Sequence, residues 1–289
     1  MMTENSITIE NLKIYRRKIY RSSIEDRIHT LDAAVGFINQ RGLIAFWPLT
    51  GIPMPSLWAA AAGDRQVPDE HDDPGHITWG WKDELLSQKK CFYARILCKR
   101  NFFVSLDLLP NLYALTRNTG DPSEDHKVLY DSGELSHAAF VIYETLLNSG
   151  PMDTITLKRA AHLTGKEGDQ QFNQAIDILQ NDIKILPVGI SRSGGWHYAF
   201  IYDLVPRHFP DLIERARFIS EQNARKILLL NYLISVGAAC ENEIRKLFKW
   251  ELKFIRLIMD ELIASKQIKQ TMIVDKDFKF PCYAIPDMI

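Results

Sequence analysis

The sequence predicts an α+β, mostly helical protein built from tandem winged-helix units, helix-turn-helix folds that each carry a β-hairpin wing. Between residues 131 and 210, three segments with apolar residues at helical spacing precede two β-rich runs around a glycine-serine turn. The same order returns between 211 and 289, with the first-helix starts Ser136 and Ala224 lying 88 residues apart, a domain-sized period. Composition agrees with a folded chain: among 289 residues, 46% are hydrophobic and 10% aromatic, and 35 Lys and Arg balance 36 Asp and Glu.

In chain order, residues 1–28 are read as a basic N-terminal segment. Five cations and two tyrosines fall between Lys13 and Arg21. Either this is an arm that lays Arg16, Arg17 and Lys18 along phosphates, or it is a first helix that turns its Ile and Tyr to the core. Residues 29–130 are read as a divergent winged-helix-like domain. A helix over 28–40 buries Leu31, Ala34, Val35 and Ile38 and stops at Arg41-Gly42, and the run Leu43 to Pro48 reads as a strand. Pro55-Ser56 opens a short helix over Leu57 to Ala62, closed by Gly63. The proline-broken stretch 64–75 reads as an acidic loop. Its aspartates and His71 show neither a second histidine at helical spacing nor a calcium-loop order, so no metal is expected. A helix follows Trp79 to Glu84, then a strand over Phe102 to Leu106 and a short helix over Leu112 to Leu115.

The unit at 131–210 is predicted as helices over 136–148, 156–163 and 169–181, with Phe172, Ala175, Ile176 and Leu179 inward, followed by strands over 184–190 and 196–202. Its counterpart at 211–289 is predicted as helices over 224–236, 241–248 and 251–265, then strands over 268–274 and 278–285.

Several function classes are excluded by pattern. No run approaches the roughly 18 apolar residues of a membrane span, and the polar start has no secretory pattern, so a cytoplasmic protein is expected. Cys91, Cys98, Cys240 and Cys282 are scattered and read as reduced thiols. No Walker loop, GxGxxG, GxSxG or HExxH occurs, so no cofactor is expected. The tandem order points to DNA as partner. Helix three of the first unit offers Gln170, Gln171, Asn173 and Gln174 to base edges, beside Lys158, Arg159 and the wing residue Arg192; the second offers Arg245, Lys246, Lys249, Lys253 and Arg256. Against these stand Glu241, Glu243, Glu251 and a pI near 6.7. Trp47, Trp58, Trp79 and Trp81 either line a pocket for an unstacked base or form core. Asp83 and Asp107 are the carboxylates placed for general-base work, with helix-start and turn roles as their alternatives.

Through Arg41 to Trp47, Phe103 to Pro110 and the two helix-helix-helix-wing units, residues 30–285 resemble the AlkZ-like winged-helix DNA glycosylases. That resemblance implies action on alkylated or crosslinked DNA. The family places Gln-x-Gln or Gln-x-Asp directly after its Gly-Leu-apolar triplet to position the attacking water. Ala45 and Trp47 stand there in this chain, so no catalytic residue carries over. Three readings follow: a DNA-binding relative without the catalytic pair, an active glycosylase using Asp83 or Asp107, or a winged-helix scaffold for protein association.

Overall fold

The computed structural model describes residues 6–70, 72–118, 120–194, 198–276 and 278–288. It is mixed α and β, with helix predominating. Two compact units divide the chain: Gly80–Ser220 forms one, and the segments up to Trp79 and from Glu221 onward form the other. Residues 29–130 are therefore shared between them. The helix Ile77–Gln88 carries the chain from one to the other.

In the unit Gly80–Ser220, an antiparallel hairpin pairs Phe92–Arg95 with Asn101–Val104. Helices Leu109–Tyr113 and Asp125–Asp131 follow. Then come helix His137–Ser149, a two-residue strand Met152–Asp153, helices Thr154–Ala160 and Gly165–Asn181, and strands Ile185–Ser191 and Ala199–Leu204. Local chemistry starts these helices. Ser136 accepts from the Ala139 N–H at 3.3 Å, and Asp153 from the Ile155 N–H at 3.0 Å. The short strand pairs with the second hairpin strand, Met152 opposite Tyr202, which closes a three-stranded sheet. Ile142, Leu146, Leu157, Phe172, Leu179 and Ile185 meet in one core, each contributing about 1.5–3 kcal/mol by burial.

The other unit repeats the order: helix Glu221–Val236, strand Ala238–Ala239, helices Glu241–Phe248 and Leu252–Ala264, strands Lys269–Asp275 and Phe278–Ala284. Again the two-residue strand pairs with the second hairpin strand, Ala238 opposite Ala284. Here a fourth strand, Ser6–Thr8, adds in parallel to Lys269–Asp275 with Ile7 opposite Ile273.

The basic N-terminal segment is a helix, Ile9–Ile19, capped by Thr8 and packed on helix Glu221–Val236. Arg16 donates to the carbonyls of Val236 and Ala238, both at 2.9 Å, and the Tyr15 hydroxyl donates to that of Ile234 at 2.6 Å. An extended arm with Arg16 on phosphate is thus replaced by a guanidinium that closes a helix end. Arg17 and Lys18 stay exposed on the same last turn. Farther along lie helices Leu31–Arg41 and Leu57–Ala62 and the strand Leu43–Ala45.

The major helices lie where the sequence pattern predicts them, whereas strands Ser6–Thr8 and Phe92–Arg95 and helix Asp125–Asp131 carry no pattern that predicts them. Helix Gly165–Asn181 also begins a turn earlier than Asp169. Of the predicted wing turn and strand, Gly195, Trp196 and His197 lie outside the described residues, as do His71, Thr119 and Asp277.

Two outcomes follow from this packing. Gly237 has φ +79°, and a Cβ built there would lie 2.8 Å from Tyr15 Cδ1. Gly237→Ala is expected to destabilise by about 2 kcal/mol or more, read from urea midpoints. His208 is buried, and burial lowers its pKa to about 4, with Lys89 acting the same way and Asp203 opposing. Its folded pKa is depressed below 6.5, so it contributes stability above that value and loses it as pH falls toward 4. The chain should lose about 2 kcal/mol between pH 7 and pH 5, and His208→Leu should flatten that slope.

Candidate functional site

The third helix of the unit Gly80–Ser220 has two different faces. Phe172, Ala175, Ile176 and Leu179 face the core, and Gln170, Gln171, Asn173 and Gln174 stand exposed on the open side. Its C-terminal half is closed off: Gln180 Oε1 accepts from the Arg95 N–H at 2.9 Å, and Asp177 pairs with the Arg95 guanidinium at 2.7 Å. Sequence reasoning missed Arg95 because its partners lie more than 80 residues away. Asn173, Arg95, Ser193, Gly194 and Tyr198 share the lining of a cavity of about 400 Å³ between this helix and the wing. Lys158 pairs with Asp169 at 2.7 Å and lies 5.1 Å from the Phe172 ring centre. Arg159 and Arg192 are exposed.

In the other unit, Arg245, Lys246, Lys249, Lys253 and Arg256 all stand exposed on neighbouring helix faces. The field they make is partly cancelled. Arg256 grips Glu241 with two nitrogens, at 3.0 and 3.1 Å, which holds the Glu241 carboxyl below its usual range. Lys253 pairs with Glu251 at 2.9 Å. Among the described residues no ion pair engages Arg245 or Lys249, which leaves their charge available to an incoming anion.

Three of the four tryptophans come together. Trp47 lies 5.2 Å from Trp58 and 5.9 Å from Trp79, and His76 closes on Trp58 at 5.3 Å, all between ring centres. Trp58 is fully buried, Trp47 half-buried and Trp79 exposed on one side. Trp81 does not join them: it is buried in the unit Gly80–Ser220. The segment before Trp47 is equally closed. Ala45 is 1% exposed, its N–H donates to the Pro55 carbonyl at 2.9 Å, and the Phe46 carbonyl accepts from the Trp58 N–H at 3.1 Å. Position 45 thus offers a buried methyl group, and position 47 an indole packed on other rings.

The two carboxylate candidates differ. Asp107 is fully exposed and holds Arg215 loosely at 3.7 Å. Asp83 accepts from the buried Lys82 ammonium and from the Tyr198 hydroxyl, the latter at 2.8 Å. Lys82 also bonds Tyr198 and sits 4.8 Å from the Phe200 ring centre. Burial lowers the Lys82 pKa while Asp83 opposes it, and burial together with Asp83 raises that of Tyr198. A carboxylate already holding a buried ammonium would have to release it before taking a proton from water.

The family model described as AlkZ related matches residues 28–249. A solved structure, Streptomyces sahachiroi DNA glycosylase AlkZ, superposes with a TM-score of 0.59 at 11% identity, covering 98% of this chain and 71% of that one. That likeness is one of fold. No curated protein matches the chain.

The Asp83 interactions give a structural test. Asp83→Ala is expected to destabilise by about 3 kcal/mol, because it strands a buried cation, and adding Lys82→Met should recover most of the loss in the same urea titration. An Asp83→Ala protein as stable as the parent would remove this role.

Proposed function

Because the chain belongs to the AlkZ-related family, we propose that it is a tandem winged-helix protein that binds DNA without the water-positioning pair of the glycosylases it resembles. The observation that carries this reading is the packing at Ala45 and Trp47. An amide or carboxylate there would orient water against a glycosidic carbon, and neither a buried methyl nor an indole packed among other rings offers an acceptor for that task. The twice-repeated order of helix, short strand, two helices and hairpin supports the winged-helix reading. In that fold the third helix meets the major groove and the wing lies beside it.

The surfaces suit binding to a duplex through few charges and several amides. Gln170, Gln171, Asn173 and Gln174 are acceptors and donors for base edges, and Arg159, Arg192, Arg245 and Lys249 are exposed cations for phosphates. No described helix is long and apolar enough to cross a membrane.

The test is binding to undamaged, alkylated and abasic duplexes across a salt series, with alkali-labile breaks scored in the same samples. Salt-dependent binding without breaks is expected. Arg245→Ala with Lys249→Ala should lower the slope of log affinity against log salt by about 2, near 0.9 for each phosphate no longer neutralised. Breaks that need both protein and alkylation would overturn the catalytic part of the reading. Absence of binding in every duplex would overturn the DNA part and favour protein association.

A further inference from the structure

Two of the four cysteines face each other across the sheet of the unit that contains both chain ends. Strand Ala238–Ala239 pairs antiparallel with Phe278–Ala284 in the register Ala238 to Ala284 and Ala239 to Tyr283. One residue further along, this register sets Cys240 opposite Cys282. Cys240 still has extended dihedrals, φ −85° and ψ 155°, before the helix Glu241–Phe248 begins.

The phase of the ladder decides how close the two side chains come. Ile285 donates its N–H to the Gly237 carbonyl at 3.1 Å. Hydrogen-bonded and non-hydrogen-bonded pairs alternate, so Tyr283 with Ala239 is a bonded pair and Cys282 with Cys240 is a non-bonded one, the closer of the two types. Pro281 fits the same phase, since its missing N–H falls beyond the end of the two-residue strand, where no ladder bond is due. Directly opposed residues of a non-bonded pair have Cα atoms about 4.5 Å apart, at the near end of the span a disulfide bridges. Their side chains also share a face: Cys282 belongs to the small core of Ile7, Leu12, Ala238, Ile273 and Ala284, and Cys240 packs against it. Both are free thiols, Cys282 buried and Cys240 partly exposed.

We propose that Cys240 and Cys282 are a modification site, a reversible cross-strand disulfide formed by exchange with a small disulfide oxidant such as oxidised glutathione. The Cys240 thiolate attacks the oxidant, its proton passing to water, and one glutathione thiolate leaves. The Cys282 thiolate then displaces the second glutathione from Cys240. One disulfide is broken and one is made, the protein loses two protons and two electrons, and two glutathione thiols result. Burial pushes the Cys282 thiol up to about 12 and raises that of Cys240, so exchange is slow at neutral pH and accelerates as pH rises. The bond fastens the wing to the start of the second helix and shortens the unfolded chain's free loop between them.

The test incubates the folded full-length protein with oxidised glutathione, blocks remaining thiols and maps linked peptides by mass. Three results are expected: a peptide pair joining Cys240 to Cys282, a melting temperature several degrees above that of the reduced protein, and reversal of both by dithiothreitol. Cys240→Ser should abolish the linkage and the shift while leaving the reduced melting temperature near that of the parent. In concentrated urea the pairing should scatter over all four cysteines, since the register no longer selects it. A stable glutathione adduct at Cys240 with Cys282 still blockable after full denaturation overturns the proposal, as does linkage of either residue to Cys91 or Cys98 in the folded protein. Cys282→Ala serves as the second variant, with adduct formation at Cys240 but no linkage as the expected result.

Discussion

The carbonyls at the end of helix Glu221–Val236 are the constraint around which the unit holding both chain ends is organised. The last carbonyls of a helix have no partner inside it and must find donors elsewhere. Tyr15 and Arg16 supply them from more than 200 residues away, reaching Ile234 and Val236, and Arg16 also reaches Ala238 in the strand that follows. Once those bonds exist, much else is fixed. Gly237 must be glycine, because its φ is positive and Tyr15 occupies the space of a Cβ. Ser6–Thr8 is delivered beside Lys269–Asp275, covering an edge that would otherwise present unpaired backbone groups. The cations that make the N-terminus look like a nucleic-acid arm are, in Arg16's case, the donors of a structural clamp. The unit Gly80–Ser220 solves a similar problem in a similar way, with Arg207 donating to the carbonyls of Leu146 and Leu147 at the end of helix His137–Ser149.

What the sequence made legible, and what it did not, follows from the range of the interactions involved. Helices Gly165–Asn181 and Leu252–Ala264 announce themselves because one apolar face repeats over several turns. The strands Met152–Asp153 and Ala238–Ala239 are two residues long, too short for alternation to register, yet they complete both sheets. Helix Asp125–Asp131 carries polar residues into the interior, where His126 meets Glu144 and stacks on Phe140, so its hydropathy pattern is silent. Lys253 with Glu251 is a local pair readable from spacing, whereas Tyr198 with Asp83 spans 115 positions.

The tryptophans show the same limit within one helix. Trp79 and Trp81 are two residues apart in Ile77–Gln88, and a two-residue step turns about 200° around an α-helix. They therefore lie on nearly opposite faces of the helix, Trp79 at the ring cluster of Trp47 and Trp58 and Trp81 buried. Counting aromatics in a stretch of sequence grouped all four; helical geometry admits only three to the cluster.

The closed packing around Ala45 leaves no polar side chain to be satisfied at that position. The backbone there already pairs with Pro55 and Trp58, and the side-chain space is filled by a methyl group and an indole. A buried amide at position 45 would need hydrogen-bond partners or cost about 1–3 kcal/mol, whereas alanine satisfies the site by packing alone. Trp47 in turn packs its indole against Trp58 and Trp79. The two positions are thus consistent with each other as structure, one closed by burial and backbone pairing and the other by its neighbouring rings.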